Sequence, residues 1–283
     1  MSDQLHRFIF DGSDVRGEHL QLSGSYREML DNHHYPPAVA RLLGEFLVAA
    51  ALLSVTIKFR GSLILQVRGD GQVPLIMAEA NSDGDIRGIA RDAGQAMSES
   101  FHELLGNGQL AITIDPIEGR RYQGIVSLDG DNLAACIEAY FRQSEQLATR
   151  IWLGANGDTA GGLLLQELPT QHSNPETWQH LTTLADTVSE DELLTLDAAN
   201  LLYRLYHEEP LRLFEPKSLR FRCSCSQERM EAALVSLGRD ELDSILAEQG
   251  QIESHCEFCH RQFHFTPVQV AGLFGDAAGS TRH

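Results

Sequence analysis

Lysine is nearly missing from this chain of 283 residues: only Lys58 and Lys217 occur. Neither follows a glycine, so the GK[ST] core of a phosphate-binding loop is excluded. Bases are scarce altogether, 22 Lys and Arg against 40 Asp and Glu, for a formal net charge of -18. So acidic a chain repels phosphate backbones and anionic lipid, which argues against nucleic-acid and membrane-surface partners. Long apolar runs are lacking too. The longest charge-free apolar stretch, residues 46–57, contains Ser54 and Thr56 and falls short of the roughly 18–20 residues that cross a bilayer. The first ten residues hold Asp3, His6 and Arg7 without an apolar core, so no signal peptide is read there and a cytoplasmic location is expected. No GxSxG, HExxH or EF-hand run occurs. A loose GxGxxA at Gly106 follows a helical pattern and opens a strand, the reverse of a dinucleotide-binding turn.

What is present reads as α+β, and the size suggests about two domains. Pro36 and Pro37 open a long helix whose apolar positions Val39, Leu42, Leu43, Phe46, Leu47, Ala50 and Leu53 repeat at helical spacing. Alternating strands are expected at 62–68, 74–80, 85–90, 110–114, 121–127, 150–153 and 162–168, with a helix at 132–147 carrying Cys136 as a buried structural thiol. Arg68-Gly69-Asp70 reads as a hairpin turn rather than an adhesion signal. The expected core includes Leu42, Phe46, Leu53, Leu63, Leu65 and Ile112. A breaker-rich loop at 169–175 ends this mixed α/β-sheet domain of residues 1–175, and the strand signals stop with it. Residues 176–222 read as a linker region of short helices. One starts at the capping box Ser189-Glu190-Asp191-Glu192, and another is capped by Asp197. Residues 223–283 form a small third part with helices at 227–237 and 241–249, a strand at 262–265, and a tail from 275 without an order signal.

Four of the five cysteines fall in that last part, as Cys223-Ser224-Cys225, then 30 residues, then Cys256-Glu257-Phe258-Cys259. Two close pairs separated by such a loop can bring four sulfurs to one tetrahedral centre, and zinc suits four thiolates. His255, His260 or His264 in place of a sulfur is the alternative ligand set. A segment this small has little core and needs a staple, so one zinc per chain is expected to hold it folded. A closed four-sulfur site is a poor Lewis acid, but its thiolates are what peroxide or hypochlorite attacks. Three function classes compete: a redox-switched protein, a zinc-ribbon nucleic-acid-binding regulator, and a metalloenzyme or thiol oxidoreductase. The segment has no lysine and more acids than arginines, which opposes the second; the closed site and the lack of a βαβ context oppose the third.

These cysteines, together with Thr56-Ile57-Lys58-Phe59-Arg60-Gly61-Ser62-Leu63, Leu65-Gln66-Val67-Arg68-Gly69-Asp70-Gly71 and Gly161-Gly162-Leu163-Leu164-Leu165-Gln166, carry a resemblance over nearly the whole chain. The chain resembles the redox-regulated chaperones of the 33-kilodalton heat-shock protein, or 33 kDa chaperonin, family. The resemblance implies a cytosolic, non-enzymatic, ATP-independent holdase of the stress response, with Cys223, Cys225, Cys256 and Cys259 as zinc ligands. It further implies that the reduced, zinc-bound form is inactive and that oxidation pairs Cys223 with Cys225 and Cys256 with Cys259. Zinc release would then unfold the C-terminal module and loosen the linker. The active form, a homodimer, would bind unfolding or oxidatively damaged client proteins. Apolar groups expected to be uncovered are Leu181, Leu184, Leu201, Leu202 and Tyr203, or the surface beneath them.

Overall fold

The computed structural model describes residues 3–57, 60–169 and 174–275. Lys58 and Phe59, most of the expected loop at 169–175 and the tail beyond Gly275 lie outside the described residues. The chain divides into two compact units, Met1–Arg222 and Cys223–His283.

The first unit runs β1 (Gln4–Phe10), β2 (Val15–Leu22), α1 (Gly24–Asp31), α2 (Pro37–Thr56), β3 (Gly61–Arg68), β4 (Leu75–Asn81), β5 (Asp85–Arg91) and α3 (Phe101–Leu105). It continues with β6 (Gln109–Pro116), β7 (Tyr122–Ser127), α4 (Leu133–Tyr140), β8 (Thr149–Ala155) and β9 (Ala160–Glu167). Then come α5 (Pro175–Ala185), α6 (Glu190–Thr195), α7 (Ala198–Tyr206), β10 (Leu211–Leu213), β11 (Lys217–Ser218) and β12 (Arg220–Phe221). One sheet has the order β10-β1-β2-β9-β8, with β11 also on β1; the other has β12-β5-β4-β3-β6-β7.

Helix α2 forms because Pro37 presets its first turn and the following residues are apolar on every side. It touches strands of both sheets. One continuous core joins Leu43, Phe46 and Leu53 to Leu63, Leu65 and Ile112 of one sheet and to Leu5, Leu20 and Leu164 of the other. By length and composition α2 would cross a membrane, but 78% of its apolar window Pro37–Ser54 is buried inside the fold, as in a core helix. Counting only an unbroken run misses this helix, because Arg41 and Glu45 interrupt it.

The first sheet is apolar on its other face as well. Phe8, Phe10, Val15, Leu163 and Leu165 alternate outward and are covered by Leu181, Ala185, Leu193, Leu201, Leu202, Leu205 and Tyr206 of α5–α7. Two contacts seat this helical layer. A Cβ on Gly161 would lie 2.4 Å from the Leu193 carbonyl oxygen, so only glycine lets α6 approach the sheet so closely. Gln21 Nε2 donates to the carbonyls of Leu193 (3.0 Å) and Leu196 (2.9 Å), satisfying acceptors that the end of α6 leaves open. Gln21→Leu removes both bonds, and about 1–3 kcal/mol of layer docking should go with them. Hydrogen exchange in α6 and α7 should accelerate while exchange in β3–β6 stays unchanged; uniform protection in the variant would refute the anchoring role.

Three readings of the sequence are corrected. Strands do not stop at residue 175: β10 and β11 pair with β1, and β12 pairs with β5 in parallel. They are only two or three residues long, too short for an alternation signal. The helix expected at 132–147 ends at Tyr140 and passes into a π-turn, Phe141–Glu145, closed by Gln146 at φ +53°. Tyr203 lies on the open side of α7, 73% exposed, and is not hidden by the layer. Cys136 is buried as expected, beside Leu133 and Ile137.

The second unit contains α8 (Gln227–Leu237), α9 (Arg239–Gln249), β13 (Ile252–His255), β14 (Gln262–Phe265) and α10 (Pro267–Leu273). Its strands form an antiparallel hairpin. Its buried core is small: Leu234, Leu242, Ile252, Cys256, Phe263, Phe265 and Val270.

Candidate metal centre

Cys223 and Cys225 flank Ser224 just ahead of α8, whose N-cap Ser226 accepts a hydrogen bond from the Arg229 backbone N–H. Arg229 also reaches the Ser224 hydroxyl, which fixes the loop between the two sulfurs. Cys256 to Cys259 form the tip of the β13-β14 hairpin. There the Cys256 N–H donates to the Arg261 carbonyl (2.9 Å), and the His260 N–H donates to the Cys256 carbonyl (2.8 Å). His260 takes φ +54°, a left-handed conformation that lets the tip fold back so that both sulfurs face one side.

The four sulfurs of Cys223, Cys225, Cys256 and Cys259 lie within 4.8 Å of one another. Cys223 Sγ is 3.5 Å from Cys256 Sγ, and Cys225 Sγ is 3.6 Å from Cys259 Sγ. These separations are far beyond a disulfide bond, about 2.05 Å. They are near the roughly 3.8 Å edge of a sulfur tetrahedron built on Zn–S of about 2.3 Å. All five cysteines are free thiols.

The electrostatics call for a cation. Burial pushes the Cys223 thiol up, and it pushes Cys225 up strongly, reinforced by the thiols of Cys259 and Cys223. Burial also opposes the Cys256 thiolate. The backbone N–H groups of Phe258 and Cys259, and the neighbouring thiols of Cys223 and Cys259, donate to it, and the net shift is downward. Sulfurs this close cannot all ionise together unless a positive charge lies among them. The donor set therefore fits a soft divalent ion. Among the described residues this is the cluster with ligand atoms arranged for a metal, and the histidines are not part of it. His255 and His260 stack on each other with centroids 6.0 Å apart, and His264 Nδ1 lies 3.7 Å from Glu253 Oε1.

The sequence carried no signal for what precedes the first ligand. β12 ends at Phe221, one residue before Arg222, and Cys223 follows. The strand is held by Arg220 N–H to the Gly84 carbonyl (3.0 Å) and Arg222 N–H to the Ile86 carbonyl (3.1 Å). The Asp85 carboxylate takes Arg220 Nε at 2.6 Å and Arg222 Nη1 at 3.8 Å. The Phe221 N–H donates to Ser25 Oγ (3.1 Å). Lys217 Nζ donates to the Ser82 carbonyl (3.0 Å), and burial lowers its pKa.

Comparison with known proteins adds a third line. The model of a family described as Hsp33 protein matches residues 3–266. The chain is 51% identical to the 33 kDa chaperonin of Pseudomonas aeruginosa strain PAO1 over 100% of this chain and 99% of that protein. It is 48% identical to the 33 kDa chaperonin of Shewanella frigidimarina, over 99% of this chain and 98% of that one. The crystal structure of a 33 kDa chaperonin from Thermotoga maritima superposes with TM-score 0.83 at 20% identity, covering 96% of this chain and 97% of that one, and so shares the fold.

Proposed function

The chain belongs to the Hsp33 protein family, and we propose that it is a redox-regulated, ATP-independent holdase, silent when reduced and zinc-bound. The observation that carries this reading is the gathering of four sulfurs at one point of a unit whose buried core is otherwise six side chains around Phe265 and Leu242. Bound zinc would hold all four sulfurs as thiolates and cross-link α8's approach to the hairpin tip.

Oxidation proceeds on the sulfurs themselves. A thiolate of one close pair attacks the peroxide oxygen–oxygen bond, giving a sulfenic acid and releasing water once a proton is taken up. The neighbouring thiol then attacks that sulfur, forming the disulfide and releasing a second water. Each peroxide thus accepts two electrons from one pair. We assign the pairs as Cys223–Cys225 and Cys256–Cys259, each of which removes two ligands at once. Cys136 is spared: it is 1% exposed, and burial raises its pKa.

With the ligands gone, the second unit loses its staple. Disorder then starts at Cys223, directly after the short anchors of β12, and we infer that it spreads through β12–β10 to the α5–α7 layer. Helices of 11, 6 and 9 residues are marginal in water once undocked. Their departure bares Phe8, Phe10, Val15, Leu163 and Leu165, an apolar sheet face able to hold unfolding clients without a nucleotide. The active form is read as a cytoplasmic homodimer. The test combines thiol counting with client light scattering. Peroxide should remove four of the five thiols, release one zinc per chain and switch on suppression of aggregation; reductant with zinc should reverse all three. Equal suppression by both redox forms would defeat the switch, and none by either would defeat the holdase.

A further inference from the structure

The sheet face under the α5–α7 layer carries the apolar cluster of Phe8, Phe10, Leu163 and Leu165 and, beside it, a polar patch. His6 of β1 and His19 of β2 sit directly opposite each other in register, and the next strand places Leu163 beside His19. His19 is 1% exposed, and neither of its ring nitrogens has a hydrogen-bond partner; Nδ1 of His6 is likewise buried and unpartnered. An imidazole buried in this way loses its hydration without compensation, and its protonated form would lose far more. Gln21, two residues along the same face from His19, is the side chain that holds the end of α6. The patch therefore lies beside the contact that seats the layer.

The charged groups facing the pair are few. The histidines face each other, α7 contributes the Asp197 carboxylate, and β9 contributes uncharged Leu163. Asp197 is engaged at its own helix end, accepting from the Asn200 N–H (2.9 Å) and Asn200 Nδ2 (3.0 Å). Arg7, Arg16 and Glu18 alternate to the opposite face of the sheet.

We propose that the His6–His19 pair makes release of the α5–α7 layer proton-linked, so that acidification is a second trigger acting through the sheet rather than through the cysteines. The proposal rests on the reading that this layer covers the client-binding face. Burial lowers the pKa of His19 to about 4, His6 adds to the shift, and Asp197 opposes it. His6 is lowered by burial too, against Asp197. Once the layer leaves, both rings meet water and return toward their ordinary value of 6.5. Docking is thus fully stable above that value and weakens as the pH falls from it toward 4, because the released state takes up the proton. Between pH 7.5 and 5.5, His19 alone should raise the opening equilibrium about tenfold. Glu18, which burial pushes up to about 7 against Arg16 and Arg7, titrates in the same window. It lies on the face turned toward α2, so it is unchanged in any comparison of His19 variants.

The test is hydrogen-exchange protection in α5–α7 of the full reduced chain with excess zinc, at pH 7.5 and 5.5, corrected for intrinsic exchange. Bound zinc is measured in the same samples, because thiolate ligands also take up protons. The wild-type layer should lose about tenfold in protection with zinc retained. His19→Leu should lose most of this pH dependence in the same amides, leaving only the part that His6 carries, and His19→Gln, also untitratable, guards against mispacking of the leucine. An equal loss in wild type and both variants, or no loss in the wild type, overturns the proposal. Failure of the oxidised protein to hold a client would instead strike the holdase reading and leave proton-linked opening standing.

Discussion

Replacing Cys256 with serine is expected to unfold the unit Cys223–His283 and to leave the two-sheet core of Met1–Arg222 around α2 folded. A serine hydroxyl is a poor ligand for a soft ion, so the site drops from four sulfurs to three. Structural zinc supplies roughly 10–16 kcal/mol of apparent folding energy to small modules. A unit of this size has a net stability of only about 3–9 kcal/mol at the usual 0.05–0.15 kcal/mol per residue. The metal contribution exceeds that margin, and the core around Leu234, Leu242, Ile252, Phe263, Phe265 and Val270 cannot replace it. Chelation of the reduced wild type should have the same effect, which separates loss of the metal from the packing change at Cys256, itself 7% exposed. Limited proteolysis with mass spectrometry reads the result: cleavage throughout 223–275, with a resistant fragment ending near Arg222 or within the helical layer. Cleavage inside β3–β7, or a variant that keeps its metal and its fold, would contradict the division.

Legibility in the sequence followed from how many faces of an element are buried. β3 alternates buried and half-buried along its length, so Leu63, Leu65 and Val67 announce a strand, and its hairpin partners could be read in the same way. α2 was legible from Pro36 and Pro37 and from apolar spacing. β2 was not, because both of its faces are covered and it still carries Glu18, His19 and Gln21, which read as solvent residues. The chain segment after Tyr206 also escaped notice: β10–β12 owe their extended form to the edges of β1 and β5 rather than to any pattern of their own. The sulfur cluster needed only two close pairs to be seen, since cysteine chemistry survives without knowledge of the fold. What the sequence could not show is the neighbourhood: the left-handed His260, the Asp85 anchor before Cys223, and the unpartnered His19.

Leu201→Ala should turn the reduced, metal-bound protein into a partly active holdase. Leu201 of α7 is fully buried in the cluster formed with Phe8, Phe10, Leu163 and Leu165. Truncating such a leucine costs about 2–5 kcal/mol, because the lost transfer energy is joined by the cavity left behind. The cost falls on docking of the layer, since the core around α2, Leu63 and Ile112 is a separate cluster. At about 1.4 kcal/mol per factor of ten, the released fraction should rise from roughly 30-fold to several-thousand-fold. No cysteine is altered, so zinc content and the five free thiols should match the wild type. Tyr203→Ala on the same helix is the control: its side chain is 73% exposed, and truncation should change neither exchange nor activity. Light scattering of an unfolding client is read alongside hydrogen exchange. Fast exchange confined to α5–α7 together with suppression of aggregation under reducing conditions is the expected pair. Fast exchange in the layer without any holding of client would show that the face beneath it is not where clients bind. Fast exchange reaching β3–β6 would mark global destabilisation, and Leu181→Ala, on α5 and similarly buried in the same cluster, then repeats the measurement at a second site.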